Sequence, residues 1–377
     1  MDFSVHLNVQ LKFYNLPNSI GGRNVKVIHV GEYVSGGVAT YLRTLVNCQI
    51  KNKNIEEIII FKSALNSEKL IFDSSKVKVI CYDYRRSAIG VFDLLALWKQ
   101  IVEMKPDVVH LHSTFAGLLR VKKLLRRVPF RIVYCAHGWA FTRDSIELKN
   151  QIFAKVERVL SRGCDNIINI SESEQSAALD YGLPAKKMVV INNAIEIPKK
   201  LPSKSKMSGK LKVLFVGRFD RQKGVDILID AARELPDIDF RLGGRPVVGG
   251  INFKDIKTPS NVELLGWLST EQVATEMIRA DAVIIPSRWE GFGLVALEAM
   301  KNQCAVLATD VGGLAEIVRA NENGILFDAD SKDAIVQTLK IQTRNNLNKL
   351  GKQAQKFVVE NYDAREMERR VFYYCYL

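Results

Sequence analysis

The chain has 377 residues, more than one hydrophobic core usually holds, which predicts two domains of roughly 150 to 200 residues each. A composition of 47% hydrophobic and 25% charged residues excludes a disordered or fibrous protein. Most of the formal net charge of +13 lies in residues 1–200, where 29 Lys and Arg face 18 Asp and Glu, against 25 and 23 in residues 201–377.

The sequence predicts a cytosolic location. No apolar run reaches the roughly 18 residues of a membrane span, and the N-terminal stretch MDFSVHLNVQLKFYNLPNSIGG lacks the order of a secretory signal. The six cysteines are scattered without a CxxC pair, so we expect reduced thiols rather than a zinc site or a disulfide framework.

Short apolar β-rich runs alternate with helix-like stretches along the whole chain, which is typical of βα units and parallel sheets. Strands are predicted, in chain order, at NVKVIHV, IEEIIIF, KVKVICY, DVVHLH, RIVYCAH, NIINIS, MVVINNA, KVLFVG, DFRLGG, VELLG, AVIIPS, AVLATD and GILFD. We predict an N-terminal domain over residues 1–195, a Lys-, Pro- and Ser-rich linker over 196–210, and a second domain over 211–361. The last segment, 362–377, ends in the aromatic run FYYCYL and is expected to pack back towards the N-terminal domain.

Ligands of open α/β sheets bind beyond the carboxyl ends of the strands, where loops lead into helices. The first such loop, GEYVSGGVATYL, places Gly36 and Gly37 where a helix is predicted to begin, so anionic groups could approach free backbone amides. A plain tight turn explains the two glycines equally well. The spacing does not match a dinucleotide fingerprint.

The loop VGRFDRQKG follows the strand KVLFVG and carries two cations five residues apart, Arg218 and Lys223. A guanidinium fork and a flexible ammonium that converge at a strand-to-helix turn suit a diphosphate. The alternative is a pair of solvated surface cations beside a turn glycine, Gly224.

The stretch SRWEGFGLVALEAM contains a carboxylate, a glycine-rich turn and a predicted helix that begins at LVALEAM. Gly291 and Gly293 would expose backbone amides at the positive end of that helix, and Glu290 could grip sugar hydroxyls there. Glu298 lies about two helical turns further on and could reach a second diol, such as a ribose. Alternatively, Glu290 is a helix cap and Glu298 a solvated helix residue.

Histidines end two of the predicted strands in the first half. His137, in RIVYCAH, precedes a glycine and is placed to meet a ligand held by the opposite domain, although a structural histidine is an alternative. His110 and His112 point to one face of their strand. Metal binding by this pair is disfavoured because no third ligand stands at suitable spacing.

Taken together, the loops resemble the family 4 retaining glycosyltransferases, also called group 1 glycosyltransferases, which have the GT-B fold. The resemblance covers nearly the whole chain and rests on SGGVATYL, PDVVHLHS, AHGW, INNAIE, VGRFDRQKG and EGFGLVALEAMKNQCAVLATDVGGLAEIV. It implies an α/β protein in which two Rossmann-like domains with parallel sheets face each other across a cleft.

The resemblance also implies roles for particular residues. Arg218 and Lys223 would bind the donor diphosphate, and Gly37 would approach it from the other side of the cleft. His137 would stand beside the reactive face of the sugar. The transferred sugar would be held by Glu290 with Gly291, Phe292, Gly293 and Leu294. Glu298 would bind the ribose, and Trp267 and Leu268 would receive the base.

By the same resemblance, the nucleotide sugar is a substrate, most often a UDP-sugar, and neither a metal nor another cofactor is needed. Two Asp-x-Asp pairs, Asp237 with Asp239 and Asp328 with Asp330, are interpreted as turn residues rather than metal ligands. Retention without an obvious carboxylate nucleophile favours front-face transfer, in which a leaving phosphate oxygen accepts the proton of the acceptor.

The acceptor is expected to be a saccharide or a polyprenyl-diphosphate-linked saccharide bound by the N-terminal domain, as in bacterial surface-polysaccharide enzymes. The segment LLRVKKLLRRVPF, residues 118–130, has the composition of a basic amphipathic helix that could lie on an anionic membrane, or of a solvated helix face. Its basic residues are Arg120, Lys122, Lys123, Arg126 and Arg127.

Three functions are alternatives to glycosyl transfer. The first is a nucleotide-sugar epimerase of the same fold, which would turn over without an acceptor. The second, a nucleic-acid-binding protein, is disfavoured because no nucleic-acid-binding motif accompanies the positive charge. An oxidoreductase is disfavoured because neither half has the glycine fingerprint followed by an acidic residue about 20 positions later.

Overall fold

A computed structural model describes residues 24–85, 87–142, 146–204, 207–246 and 258–377 of the chain. The described residues contain two sheets, and every strand pair within them is parallel. Each strand predicted from the sequence coincides with a strand of the structure, because most of the apolar runs form the buried inner strands of the sheets. The predicted α/β fold class is confirmed.

The first sheet has seven strands in the order β3-β2-β1-β4-β5-β6-β7. Their bounds are β1 Val25–Gly31, β2 Ile55–Ser63, β3 Val77–Tyr82, β4 Val108–His112, β5 Arg131–Cys135, β6 Asn166–Asn169 and β7 Met188–Val190. The second sheet has six strands in the order β10-β9-β8-β11-β12-β13. Their bounds are β8 Leu211–Val216, β9 Ile238–Gly243, β10 Val262–Gly266, β11 Ala282–Ile285, β12 Ala305–Thr309 and β13 Gly324–Phe327.

Helices connect the strands, and several begin at a Ser or Thr whose side chain accepts a hydrogen bond from a backbone amide of the first turn. The helices of the first half are α1 Gly37–Lys51, α2 Ala88–Glu103, α3 Arg120–Leu125, α4 Glu147–Leu160 and α5 Glu172–Asp180. Those of the second half are α6 Val225–Arg233, α7 Thr270–Arg279, α8 Leu294–Lys301, α9 Gly312–Ile317, α10 Lys332–Lys340, α11 Arg344–Asn361 and α12 Ala364–Val371, followed by a π-helical turn, Phe372–Tyr376.

Each sheet reverses its strand order at one point, between β1 and β4 in the first sheet and between β8 and β11 in the second. The loops that leave two such strands run to opposite sides of the sheet and open a crevice at their carboxyl ends, which is where doubly wound folds bind ligands. The loops that carry Gly37, Arg218, Lys223 and Glu290 all follow one of these four strands.

The C-terminal residues lie against the first half of the chain. Ile195 and the segment after α11 are joined by two backbone hydrogen bonds, from Ile195 N to Tyr362 O at 3.1 Å and from Ala364 N to Ile195 O at 3.0 Å. Helix α12 packs on α1, and Phe372, Cys375 and Tyr376 are buried. Among the described residues, no helix is both long and apolar enough to cross a membrane.

The structure corrects one part of the basic segment predicted over residues 118–130. Arg120 is fully buried: its guanidinium donates to Glu157 Oε2 at 2.6 Å and stacks on the Tyr134 ring at 3.6 Å. Arg120 therefore cannot contact a membrane. Helix α3 ends at Leu125, and only Arg126 and Arg127 of the five cations are exposed.

Candidate active site

Two of the predicted site residues meet at the reversal point of the second sheet. Lys223 follows β8, Glu290 follows β11, and the ammonium of Lys223 donates to Glu290 Oε2. Ser287, near the start of the same β11 loop, donates to that oxygen at 3.4 Å. Both side chains are partly exposed to solvent, 20% for Lys223 and 13% for Glu290. Lys223 and Glu290 are 67 residues apart in the chain and meet because β8 and β11 are neighbours in the sheet.

Glycines hold the main chain that carries Glu290. Gly293, the residue before α8, has φ 101°, and a Cβ there would lie 2.5 Å from Leu314 Cδ2. Gly312 has φ 49°, and a Cβ there would lie 2.1 Å from the carbonyl oxygen of Glu290. The same carbonyl accepts a hydrogen bond of 3.2 Å from Gly313 N. Both glycines adopt left-handed backbone conformations that other residues rarely occupy.

Arg218 stands at the mouth of the same crevice. Its side chain is about half exposed and donates to Asp220 at 2.7 Å and to Gln222 at 2.8 Å. Gln222 in turn donates to the main-chain oxygen of Trp289 at 3.1 Å. This chain of contacts links the β8 loop to the β11 loop and leaves the guanidinium accessible from the solvent.

The residues after Glu290 occupy different environments. Phe292 is buried and packs edge-on against Tyr362 at 6.0 Å, so its ring belongs to the core. Leu294 is the first residue of α8. Glu298 lies inside α8, and burial raises the pKa of its carboxyl, while the positive charges of Lys301 and Arg43 act in the opposite direction. Because Arg43 belongs to α1, the first half of the chain lies close to α8.

Trp267 and Leu268 follow β10. Half of the Trp267 side chain is exposed, and the guanidinium of Arg245 lies 4.9 Å from the centre of its ring. Leu268 packs onto the end of β9, where a Cβ on Gly243 would come within 2.7 Å of Leu268 Cδ1. Arg245 was missed in the sequence, although the Gly-Gly-Arg-Pro run after the β9 strand marks it as part of a ligand-side loop.

Gly37 begins α1, as predicted from the sequence. The amide of the preceding residue, Gly36, donates to Glu68 Oε1 at 2.7 Å. A Cβ atom on either glycine would meet no atom within 4 Å. The amino end of α1 therefore opens onto free space on the side of the first sheet where β1 ends.

The His137 ring is engaged with neighbours in the first half of the chain, although the residue remains partly exposed. His137 has φ 53°, and its Nε2 lies 3.0 Å from His112 Nδ1 in a stacked arrangement. Burial lowers the pKa of its imidazole to about 3. The adjacent backbone faces the opposite half of the chain instead, because a Cβ on Gly291 would lie 3.6 Å from Gly138 Cα. Gly138, the residue after His137, is therefore the part of this loop that lies next to the second half of the chain.

His137 ends a buried chain of histidines. His29 Nδ1 lies 3.0 Å from His112 Nε2, and Gln49 Oε1 accepts from His29 Nε2 at 2.9 Å. His110 Nδ1 contacts the Tyr376 hydroxyl at 2.8 Å, and that hydroxyl also accepts from Gln49 Nε2 at 3.1 Å. The ring nitrogens of His29, His110 and His112 lie within 4.8 Å of one another, close enough to share a metal ion, and the spacing of the sequence did not reveal that His29 joins the other two.

The hydrogen bonds assign the protons of these rings. Since Gln49 Oε1 is an acceptor, His29 carries its proton on Nε2 and accepts at Nδ1 from His112 Nε2. His112 Nδ1 is then an acceptor, which leaves the His137 proton on Nε2. Burial lowers the pKa of His29 to about 4 and that of His112 well below its usual value. All the rings in the chain are therefore neutral at physiological pH.

Direct contacts join the two halves of the chain beside the site. Ser171 Oγ donates to the carbonyl oxygen of Gly291 at 2.9 Å. The Glu316 carboxylate accepts from the amides of Glu172 at 3.0 Å and Ser173 at 2.6 Å, so that α9 caps the amino end of α5. A carboxylate is stabilised at this end of a helix by the free amides and the helix dipole.

Glu174 orients the loop after β5 and was missed in the sequence. Its two oxygens accept from Gly138 N at 2.6 Å and Ile170 N at 2.7 Å, and burial raises the pKa of the carboxyl to about 7. The signal was present as Ser171 followed three residues later by Glu174, the pattern of a capping box. Its long-range partner, Gly138, is not readable from that pattern.

Comparison with known proteins identifies the class. The family model for glycosyl transferases group 1 matches residues 196–357, and the model for glycosyltransferase family 4 matches residues 35–198. An uncharacterized glycosyltransferase of Methanocaldococcus jannaschii is 33% identical over 68% of this chain and 73% of its own length. The chain therefore belongs to the group 1 glycosyltransferases of family 4.

Two further relatives come from bacteria. An uncharacterized 41.2 kDa protein in the cps region of Klebsiella pneumoniae is 28% identical over 91% of this chain and 97% of its own length. The UDP-Gal:alpha-D-GlcNAc-diphosphoundecaprenol alpha-1,3-galactosyltransferase of Escherichia coli is 24% identical over 72% of this chain and 75% of its own length. These relatives give no support to the epimerase alternative.

Solved structures show the same fold. Sucrose-phosphate synthase from Thermosynechococcus elongatus superposes with a TM-score of 0.80 at 20% identity, over 93% of this chain and 98% of that one. Anabaena HepE in complex with UDP and glucose superposes with a TM-score of 0.76 at 19% identity, over 93% and 99%. The GT-B fold predicted from the sequence is confirmed.

Proposed function

We propose that this glycosyltransferase moves a sugar from a UDP-sugar, with retention of configuration, to a saccharide or polyprenyl-diphosphate-linked saccharide in polysaccharide biosynthesis. The observation that carries the proposal is the contact between Lys223 and Glu290 at the start of α8. A cation for the diphosphate and a carboxylate for the sugar hydroxyls are thereby held side by side at the reversal point of a doubly wound sheet.

In this proposal, the nucleotide lies along the crevice of the second sheet. The exposed guanidinium of Arg218 and the ammonium of Lys223 bind the diphosphate, and the amides at the start of α8 face the same charge. Trp267 and Leu268 receive the base, and Glu298 binds the ribose. HepE, whose structure holds UDP and glucose, has the same fold and supports a UDP-linked donor.

The proposed reaction is a front-face transfer. The bond between the anomeric carbon and the diphosphate oxygen breaks, and the acceptor hydroxyl oxygen bonds to the same face of that carbon. The hydroxyl proton passes to the leaving phosphate oxygen. Cations and amides fixed around the diphosphate stabilise the negative charge as it develops, so neither a metal nor a further cofactor is required in this scheme.

The N-terminal half would hold the acceptor. In this proposal, the amino end of α1 at Gly37 and the main chain around Gly138, which lies next to Gly291, border the acceptor. The positive charge of residues 1–200 suits a diphosphate-linked acceptor. The E. coli relative, by its name, acts on a diphosphoundecaprenol-linked GlcNAc. We further propose that the protein works as a peripheral protein at the cytoplasmic face of the membrane.

The test is release of UDP from a panel of UDP-sugars, with and without polyprenyl-diphosphate-linked saccharide acceptors. The proposal predicts turnover of one UDP-sugar that depends on an acceptor. Replacement of Lys223 by Ala should weaken UDP binding roughly tenfold or more, about 1.4 kcal/mol or more. The control is Lys332→Ala, which removes an exposed pair with Glu234 outside the proposed nucleotide contacts and should leave UDP binding unchanged. Absence of UDP binding by the unaltered protein would refute the donor assignment.

A further inference from the structure

Helix α4 exposes apolar side chains where a surface helix normally carries charges. Leu148, Ile152 and Val156 are spaced four residues apart, and Val159 follows three residues later, so they share one face of the helix. The opposite face is buried and includes Asn150, Ala154 and Glu157. The exposed fractions of the outward side chains are 79% for Ile146, 67% for Leu148, 54% for Ile152, 45% for Val156 and 52% for Val159.

The exposed apolar surface continues onto the end of α3. Leu125 is 75% exposed, and Leu124 beside it is partly exposed. A Cβ on Gly163, in the turn that follows α4, would lie 3.2 Å from Leu124 Cγ, so Leu124 packs next to the carboxyl end of α4. We call the outward residues of α4 together with Leu124 and Leu125 the α4 surface.

Positive charges surround the α4 surface. The exposed basic residues of α4, of the turn after it and of the end of α3 number six, against one exposed acidic residue, Glu147. They are Lys149, Lys155, Arg158, Arg162, Arg126 and Arg127. Long basic side chains beside an apolar helix face are the features of a helix that lies in the plane of a lipid interface.

We propose that the α4 surface rests on an anionic phospholipid bilayer, with the apolar side chains among the acyl chains and the basic side chains at the phosphates. The inference deepens the proposed function, because a polyprenyl-linked acceptor would be held in the same bilayer. It also centres the membrane contact on α4 and keeps only the end of the segment predicted over residues 118–130, because Arg120 is buried against Glu157.

A second copy of the chain fits this surface less well. A twofold contact through α4 would bring the six cations of one copy against the same six of the other. Like charges held together at an interface repel each other, whereas an anionic lipid surface attracts them. The charge around the apolar stripe therefore favours lipid over self-association.

The test is co-sedimentation of the full-length protein with vesicles of phosphatidylcholine alone or of phosphatidylcholine mixed with phosphatidylglycerol. Two double variants each alter one feature of the surface. Leu148→Ser/Ile152→Ser shortens the apolar stripe, and Lys155→Glu/Arg158→Glu reverses two of the surrounding charges. The matched control is Ile71→Ser/Ile341→Ser, which replaces apolar side chains that are 71% and 77% exposed elsewhere. Thermal unfolding and UDP binding should be unchanged in all three variants.

The unaltered protein and the control are expected to bind the mixed vesicles and to bind phosphatidylcholine vesicles roughly tenfold or more weakly, since each basic residue near the surface adds to the attraction. Both α4 variants should lose roughly tenfold or more of the binding to mixed vesicles. The inference is overturned if the unaltered protein does not sediment with mixed vesicles, or if the α4 variants bind as it does. A dimer in solution that disappears in Leu148→Ser/Ile152→Ser would assign the surface to a second copy. Failure of UDP binding would refute the proposed donor site alone and leave the vesicle result standing.

Discussion

The ammonium of Lys223 and the carboxylate of Glu290 are in contact although 67 residues separate them in the chain. The contact forms because β8 and β11 are neighbours in the sheet and their loops leave it at the same edge. In the free enzyme, the two charges neutralise each other. A bound diphosphate would compete with Glu290 for the ammonium, and Glu290 would then be released towards the sugar.

Replacement of Glu290 by Gln separates these two roles. The variant leaves Lys223 without a carboxylate partner, so UDP should bind as tightly as before or more tightly. Turnover of the UDP-sugar should fall by roughly two orders of magnitude, because the side chain proposed to hold the sugar hydroxyls loses its negative charge and one of its two acceptor oxygens. Calorimetric titration with UDP and initial rates of UDP release measure the two effects separately. Equal turnover in the variant and the unaltered enzyme would remove Glu290 from the site.

Gly312 packs against the main chain of Glu290, and its replacement by Ala should displace the Glu290 loop. A Cβ at this position would collide with the Glu290 carbonyl oxygen, and φ 49° is unfavourable for Ala. We expect loss of UDP-sugar turnover together with a drop in the free energy of unfolding of more than about 1 kcal/mol. The control is Gly209→Ala, where φ is 79° and no atom lies within 4 Å, so that only backbone strain is added. If both variants keep full turnover, the loop does not depend on Gly312.

Much of this arrangement could be predicted from the sequence, for a physical reason. Buried parallel strands are continuous apolar runs, and the loops after them were recognisable from their glycines and charges. The direction of the His137 ring was not predictable, because it depends on His112, which reaches it only through the pairing of β4 with β5.

The burial of Arg120 could not be predicted from the sequence either. Its partner, Glu157, is 37 residues away, and a local pattern of leucines and cations reads the same whether one of the cations turns inward or outward. The apolar stripe of α4 is visible in the sequence as a helical repeat. Only the structure reveals that this stripe faces outward and that the polar Asn150 and Glu157 face inward.

The hydroxyl of Tyr376 ties the C-terminal turn to the buried histidines. Tyr376→Phe would leave Gln49 Nε2 and His110 Nδ1 without this partner in the interior, where an unsatisfied polar group costs about 1 to 3 kcal/mol. We expect urea unfolding to report a loss of that size. Tyr374→Phe, two residues earlier on a side chain that is 36% exposed, is the control and should change stability little. Equal stability of Tyr376→Phe and the unaltered protein would show that the hydroxyl contributes nothing.

His29 should make stability depend on pH in a defined direction. Burial lowers its pKa from the usual 6.5 to about 4 in the folded protein, so between these values the unfolded chain binds more protons. The contribution of the neutral ring is therefore complete above pH 6.5 and is lost as the pH falls to about 4. The loss amounts to about 3 kcal/mol, at roughly 1.4 kcal/mol per pKa unit.

The measurement compares the unaltered protein with His29→Gln, which keeps a hydrogen-bonding side chain without a titrating ring. The stability advantage of the unaltered protein over the variant should shrink as the pH falls from 6.5 to 4. A constant difference between the two across this range would mean that His29 does not titrate as its burial requires.

A crystal structure of the protein with UDP tests the central claim most directly. We predict that the diphosphate lies at the start of α8 within hydrogen-bonding distance of Lys223 and Arg218, that the ribose meets Glu298, and that the base stands beside Trp267 and Leu268. A nucleotide bound elsewhere, with Lys223 still paired to Glu290, would contradict the account.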